Sequence, residues 1–186
     1  QAAHIAKSLH GQVRAAIASP YGNYVLQKII ETVPTGVSSF VALELAGAGA
    51  DAARHRYGCR IMCRLLEHSA PHVRMIALVE ETLVHAEEIS RHTFGHHVAE
   101  AILEHGAPEH RHEIAEALRK DLQRYARNRN ASHVLERALE FCSDQDQYTL
   151  ATELCEGGTD GVVSLAQSHF GTHIVRAMLR LPRFAG

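Results

Sequence analysis

The sequence predicts an all-α fold, a solenoid in which one helical unit recurs five times. Two observations carry this. A seven-residue motif returns at near-constant spacing. The apolar residues that follow each copy fall at helical period.

The copies are Tyr21-Gly22-Asn23-Tyr24-Val25-Leu26-Gln27, Tyr57-Gly58-Cys59-Arg60-Ile61-Met62-Cys63, Phe94-Gly95-His96-His97-Val98-Ala99-Glu100, Asn130-Ala131-Ser132-His133-Val134-Leu135-Glu136 and Phe170-Gly171-Thr172-His173-Ile174-Val175-Arg176. Their third residues stand at 23, 59, 96, 132 and 172, so the successive spacings are 36, 37, 36 and 40. The last interval is longer by the stretch Gly157-Gly158-Thr159-Asp160-Gly161, which reads as a loop insertion. Counted from the third residue, offsets +2, +3, +6 and +7 are apolar in all five copies. That is the buried stripe of an amphipathic helix. Offsets 0 and +4 lie one turn apart with +1 beside them, so each helix presents a three-residue patch.

The chain between patches also reads as helix. Segments 35–46, 71–82, 108–119 and 143–155 follow each patch helix, and Pro71 and Pro108 suit a first helical turn. Shorter helices over 51–56 and 121–127 lead back into the motif. The motif glycine is expected to permit a tight turn, and the aromatic before it to wedge between units. Three helices of this size cannot bury their own faces, so the units must stack. One domain over 1–186 is expected, divided near 1–34, 35–70, 71–107, 108–142 and 143–183. Opening at Gln1 inside a helical pattern, the chain reads as the ordered part of something longer, an incomplete array.

Composition narrows the functional classes. Hydrophobic residues make up 46% and aromatics 5%, with no Trp, so the core must be filled by Ala, Leu, Val and Ile. A formal net charge of −2 argues against a strongly basic nucleic-acid binder, although 15 histidines can gain charge beside a polyanion. On the patch helices the basic residues Lys28, Arg60, Arg64, Arg137, Arg176 and Arg180 are matched one for one by Glu31, Glu67, Glu100, Glu104, Glu136 and Glu140. Cys59, Cys63, Cys142 and Cys155 form no Cys-x-x-Cys pair, which points to a reducing compartment and a cytoplasmic location, with nuclear, nucleolar or organellar sites open. No membrane insertion is expected. No glycine-rich phosphate loop, nucleophile elbow or paired-carboxylate signature is present, so no enzyme is expected.

Two cysteines at 59 and 63, and histidines at 92, 96, 97, 105, 110 and 112, invite a metal reading. A zinc site needs three or four converging ligands, and the repeat register already accounts for positions 59, 63, 96 and 97. No metal and no cofactor is therefore expected.

The aromatic-Gly-x-x-Val-Leu pattern on a three-helix unit resembles the Pumilio (PUF) repeat, closely at Tyr21 to Lys28 and least at Asn130-Ala131. The resemblance spans nearly the whole chain. It implies an armadillo-like, right-handed α-α superhelix that binds single-stranded RNA on its concave face, one base per repeat. It also implies roles. Tyr24, Arg60, His97, His133 and His173 would stack between bases, and all five side chains are planar. The base-edge positions would be Asn23 with Gln27, Cys59 with Cys63, His96 with Glu100, Ser132 with Glu136 and Thr172 with Arg176. Asn23-Gln27 resembles a uracil-reading pair and Ser132-Glu136 a guanine-reading pair; Cys63 departs from the pattern, and the other two pairs are unassigned. The implied partner is a messenger RNA 3′ untranslated region or another RNA, in translational or other post-transcriptional regulation or in RNA processing. The alternative is a helical scaffold that docks protein partners in a larger assembly.

Overall fold

The computed structural model describes residues 2–156 and 158–182. Gln1, Gly157 and residues 183–186, which the expected repeat boundaries and the glycine stretch take in, lie outside the described residues. All regular structure among the described residues is helical. In chain order the helices are α1 (Ala2–Ser8), α2 (Val13–Ala18), α3 (Gly22–Thr32), α4 (Thr35–Ser38), α5 (Phe40–Leu45), α6 (Gly49–Arg54), α7 (Gly58–Ser69) and α8 (Val73–Leu83). They continue as α9 (Ala86–Arg91), α10 (Gly95–His105), α11 (Pro108–Arg119), α12 (Leu122–Tyr125), α13 (Ala131–Phe141), α14 (Asp144–Cys155), α15 (Gly158–Gln167) and α16 (Gly171–Met178).

The five motif copies become α3, α7, α10, α13 and α16, and each packs on the next in that order. A second row, α5, α8, α11 and α14, stacks in parallel with the first. The short helices α2, α6, α9, α12 and α15 each pack on the patch helix that follows. Contacts therefore run between sequence neighbours, as a solenoid requires.

Burial along the patch helices follows the stack. Offset +2 is fully buried at Ile61, Val98, Val134 and Ile174, yet Val25 is 39% exposed. Offset +7 is buried at Ile30, Leu66, Leu103 and Leu139, yet Leu179 is 61% exposed. The stripe thus has two sides. Offset +2 faces the preceding patch helix and offset +7 the following one, and among the described residues the first and last copies each have only one such neighbour.

Several local expectations are corrected. Residues 35–46 form two helices, α4 and α5, broken at Ser39. Pro108 does open α11, but Pro71 lies in a turn, and α8 starts at Val73 with the His72 ring accepting from Arg74 N–H at 3.2 Å. Gly158 to Gly161 are not a loop: they form the first turn of α15, which has 10 residues where α6 and α9 have 6. The extra length of the last interval goes into a longer helix.

The motif glycine serves close packing. Gly22, Gly58, Gly95 and Gly171 are not among the positive-φ residues. A Cβ at Gly58 would sit 2.3 Å from Ala52 O, and one at Gly171 2.3 Å from Leu165 O, both in the preceding short helix. Only a residue with no side chain allows that approach. The aromatic before it differs in burial among the copies, and in the first it is no wedge. Tyr21 is 84% exposed, and at Tyr57 the guanidinium of Arg56 lies 4.8 Å from the ring centroid. Phe94 is also exposed, while Tyr57 and Phe170 are half-buried.

Candidate nucleic-acid interface

Each patch helix is held at its start by a side chain four residues before offset 0. Ser19 Oγ accepts from Tyr21 N–H and Gly22 N–H at 3.3 and 3.0 Å. His55 Nδ1 accepts from Tyr57 and Gly58 N–H at 3.2 and 3.1 Å, and His92 Nδ1 accepts from Phe94 and Gly95 N–H, both at 3.2 Å. Asn128 Oδ1 accepts from Asn130 and Ala131 N–H, both at 3.0 Å, and Ser168 Oγ from Gly171 N–H at 3.0 Å. Three residue types thus perform one task, satisfying N–H groups that a helix start leaves without partners. Sequence reading missed this row because Ser, His and Asn share no obvious class. Their common register, four before offset 0, was the available signal.

The predicted patch residues separate into three environments. Offset 0 is buried at Asn23, Cys59, His96 and Ser132, and half-buried at Thr172. These side chains bond backwards. Asn23 Nδ2 donates to Ser19 O and Pro20 O at 2.9 and 2.8 Å. The Cys59 thiol donates to Arg56 O at 3.5 Å, and His96 Nδ1 to His92 O at 2.9 Å. Ser132 Oγ donates to Arg129 O at 3.2 Å and Thr172 Oγ1 to Ala166 O at 2.7 Å. Offset +1 is exposed in all five copies, at Tyr24, Arg60, His97, His133 and His173. Offset +4 is half-buried at Gln27, Cys63, Glu100 and Glu136, and exposed at Arg176.

In the first copy offset 0 positions offset +4, and in the third the two side chains approach without a hydrogen bond. Gln27 Nε2 donates to Asn23 Oδ1 at 3.0 Å, and Glu100 Oε1 lies 3.8 Å from His96 Nε2. In the second copy the Cys63 thiol donates across the stack to His97 O at 3.5 Å. Burial pushes the Cys63 thiol up to about 12, so it is neutral and offers a base edge little.

The second and third patches line a groove of about 620 Å³, bounded by Gln27 of the first patch helix and Arg137 of the fourth. Its charges are mixed and partly spent. Arg64 bridges Glu31 of the neighbouring unit at 3.2 Å and also pairs with Glu67; Arg137 pairs with Glu140 at 3.0 Å. Three of the offset +8 carboxylates, Glu31, Glu67 and Glu140, therefore hold patch-helix arginines, while that of Glu104 lies 4.0 Å from His105 Nε2. Arg56 and Arg60 are in no ion pair among the described residues and lie over the Tyr57 ring, at 4.8 and 5.9 Å. In the third copy burial lowers the His97 pKa, helped by His96 and His133, and burial raises that of Glu100. Both shifts have the same main cause, the withdrawal of these groups from water.

The stacked three-helix units, with a regular row of planar, exposed side chains, define an α-solenoid repeat protein. The Pumilio-family RNA binding repeat matches residues 19–45, 51–82, 85–119 and 124–155, and the chain belongs to that family. The last three matches run from short helix through patch helix to the second row, and the first opens at Ser19, just after α2. In a cyclic repeat the phase of the cut is a convention. Comparison with curated proteins gave no match.

Among solved structures, PUF-8 in complex with PBE-RNA superposes with a TM-score of 0.86 at 24% identity, over 97% of this chain and 54% of that one. The Puf3 RNA binding domain bound to Cox17 RNA 3′ UTR recognition sequence site A gives 0.86 at 16% identity, over 95% and 50%. The Puf4 RNA binding domain bound to HO endonuclease RNA 3′ UTR recognition sequence gives 0.83 at 21% identity, over 96% and 54%. The fold is thus the superhelix of that family, and the chain spans about half the length of these structures. No helix among the described residues is long and apolar enough to cross a membrane.

Proposed function

We propose that this chain binds single-stranded RNA along the groove of the patch helices, without catalysis. The carrying observation is the offset +1 row: five planar side chains, all exposed, on five helices stacked in order. Such a row offers base-stacking faces at one-unit intervals, each of which contributes roughly 1–3 kcal/mol. Membership in an RNA-binding repeat family, and the RNA complexes of its structural neighbours, support the same reading.

The finer reading is one base per unit. Gln27 has one amide N–H committed to Asn23, which leaves a carbonyl and a second N–H for a base edge. That set complements the donor and acceptor of uracil. Glu136 offers only acceptors, which suits the donors of guanine. In this reading Asn23, Cys59, His96, Ser132 and Thr172 orient the base-edge group more than they touch the base. With family members binding RNA antiparallel, the target runs 5′-x-G-x-x-U-3′. The role we assign is post-transcriptional, acting on messenger RNA or in RNA processing.

The test is affinity for a pool of short single-stranded RNAs at two salt concentrations, repeated with Tyr24, His97 and His133 all changed to Ala. We expect the triple variant to lose at least about a hundredfold, from three stacking faces at roughly 1–3 kcal/mol each. Absence of binding at low salt, or indifference to the triple change, overturns the reading and leaves the groove as a protein-docking surface.

A further inference from the structure

The repeat register accounts for residues 96, 97 and 100 one at a time, but not for their convergence. His96, His97 and Glu100 each offer one ligand atom, and these atoms lie within 4.8 Å of one another. His96 Nε2 is 3.8 Å and His97 Nδ1 3.9 Å from Glu100 Oε1. All three stand on α10, where Glu100 is the i+4 neighbour of His96 and the i+3 neighbour of His97.

The second observation is the setting of the His96 ring. His96 is buried and donates its Nδ1–H to His92 O at 2.9 Å. That bond leaves Nε2 as the unprotonated ring nitrogen, 3.8 Å from Glu100 Oε1 and too far from it for a hydrogen bond, with the His97 ring centroid 3.9 Å from that of His96. A carbonyl partner on the second ring nitrogen is the usual support of a metal-bound histidine, because it fixes the tautomer and raises the basicity of the ligating nitrogen. The histidine that supplies this carbonyl, His92, also caps α10 through its own ring, so the support is rigid.

We propose that His96, His97 and Glu100 form a three-ligand site for a divalent ion of the zinc class, open on the groove side. Two imidazole nitrogens and one carboxylate suit zinc; calcium and magnesium prefer oxygen ligands throughout. Bonds of about 2.0–2.1 Å to a tetrahedral ion place ligand atoms roughly 3.3 Å apart. The present separations must therefore close by about 0.5–1.5 Å. The exposed His97 ring and the half-buried Glu100 chain have the freedom to do that, while His96 stays fixed. His133, whose ring centroid lies 6.2 Å from that of His96, stands in the next unit as a candidate fourth ligand.

The site stands on its own geometry and is tested without RNA, so its failure and that of the RNA reading are separable. Untagged protein is titrated with zinc against a chromophoric chelator, and with cobalt(II) for visible absorption. The expected result is one equivalent bound, with a cobalt spectrum of a nitrogen- and oxygen-ligated ion. His97→Ala and Glu100→Gln each weaken zinc by about tenfold or more and abolish the cobalt bands, with helicity unchanged by circular dichroism. His173→Ala, at the same offset two units away, leaves both signals unchanged. No stoichiometric binding overturns the proposal. So does binding that persists in both variants, which would place the ion on other histidines of the 15.

Discussion

Gln27 Nε2 donates to Asn23 Oδ1 at 3.0 Å, and Asn23 in turn donates twice to the backbone carbonyls of Ser19 and Pro20. The buried amide thus anchors the half-exposed one to the end of the preceding helix. Asn23→Ala removes the anchor but leaves Gln27 in place. We expect a stability loss of about 1 kcal/mol in urea titration, the usual net value of a buried hydrogen bond. RNA affinity should fall by a further factor of roughly 2 to 12, from the freed side chain (about 0.5–1.5 kcal/mol). Gln27→Ala should leave stability within about 0.5 kcal/mol and still reduce affinity. Equal affinity in both variants and the parent would remove this pair from the interface.

The capping row predicts which residues can replace one another. His55→Asn should hold α7 as Asn128 holds α13, with stability within about 0.5 kcal/mol of the parent. His55→Ala leaves Tyr57 and Gly58 N–H without their acceptor and should cost about 1 kcal/mol. Chemical denaturation of the three proteins decides it; an Asn variant as weak as the Ala variant would show that the ring serves by packing alone.

Gly58→Ala sets two effects against each other. Helix propensity favours Ala by about 1 kcal/mol. Against that, the new methyl would lie 2.3 Å from Ala52 O, and the backbone of α6 must move. Overpacking of this kind costs about 1–3 kcal/mol, so we expect net destabilisation. A melting temperature at or above that of the parent would mean that α6 and α7 separate easily.

Burial pushes the Cys142 thiol up to about 12, with the carboxylate of Asp146 adding to the effect. An unfolded thiol ionises near 8.5, so the unfolded state loses its proton first as pH rises. The contribution of Cys142 to stability is therefore fully present below pH 8.5 and declines between there and pH 12. Denaturation midpoints measured from pH 7 to 10.5 should fall, and Cys142→Ala should flatten that fall while lowering the plateau. Alkylation at pH 8 should modify Cys142 after the half-buried Cys155, whose pKa burial also raises, if the Cys142 thiol stays protonated in the native state. Alkylation of Cys142 ahead of the half-buried Cys155 would contradict the assigned environment.

The repeat itself was legible in the sequence. Five motif copies, their spacing and the apolar offsets determined that the chain is helical, that its units stack, and that offset +1 carries a planar side chain. Those properties are local and periodic, and a periodic pattern survives being read in one dimension. The tertiary structure decided what depends on neighbours across the stack. Val25 and Leu179 obey the same pattern as their counterparts, yet are exposed, each with an adjoining patch helix on only one side among the described residues. The glycine of the motif is explained by the carbonyl of Ala52 or Leu165, six residues earlier in sequence and in van der Waals conflict with any Cβ. Ser19, His55, His92, Asn128 and Ser168 look unrelated until their acceptor atoms are seen at one place. Burial of offset 0 and the approach of His96, His97 and Glu100 were also decided there, because burial and convergence are set by how helices pack and which rotamers that packing allows.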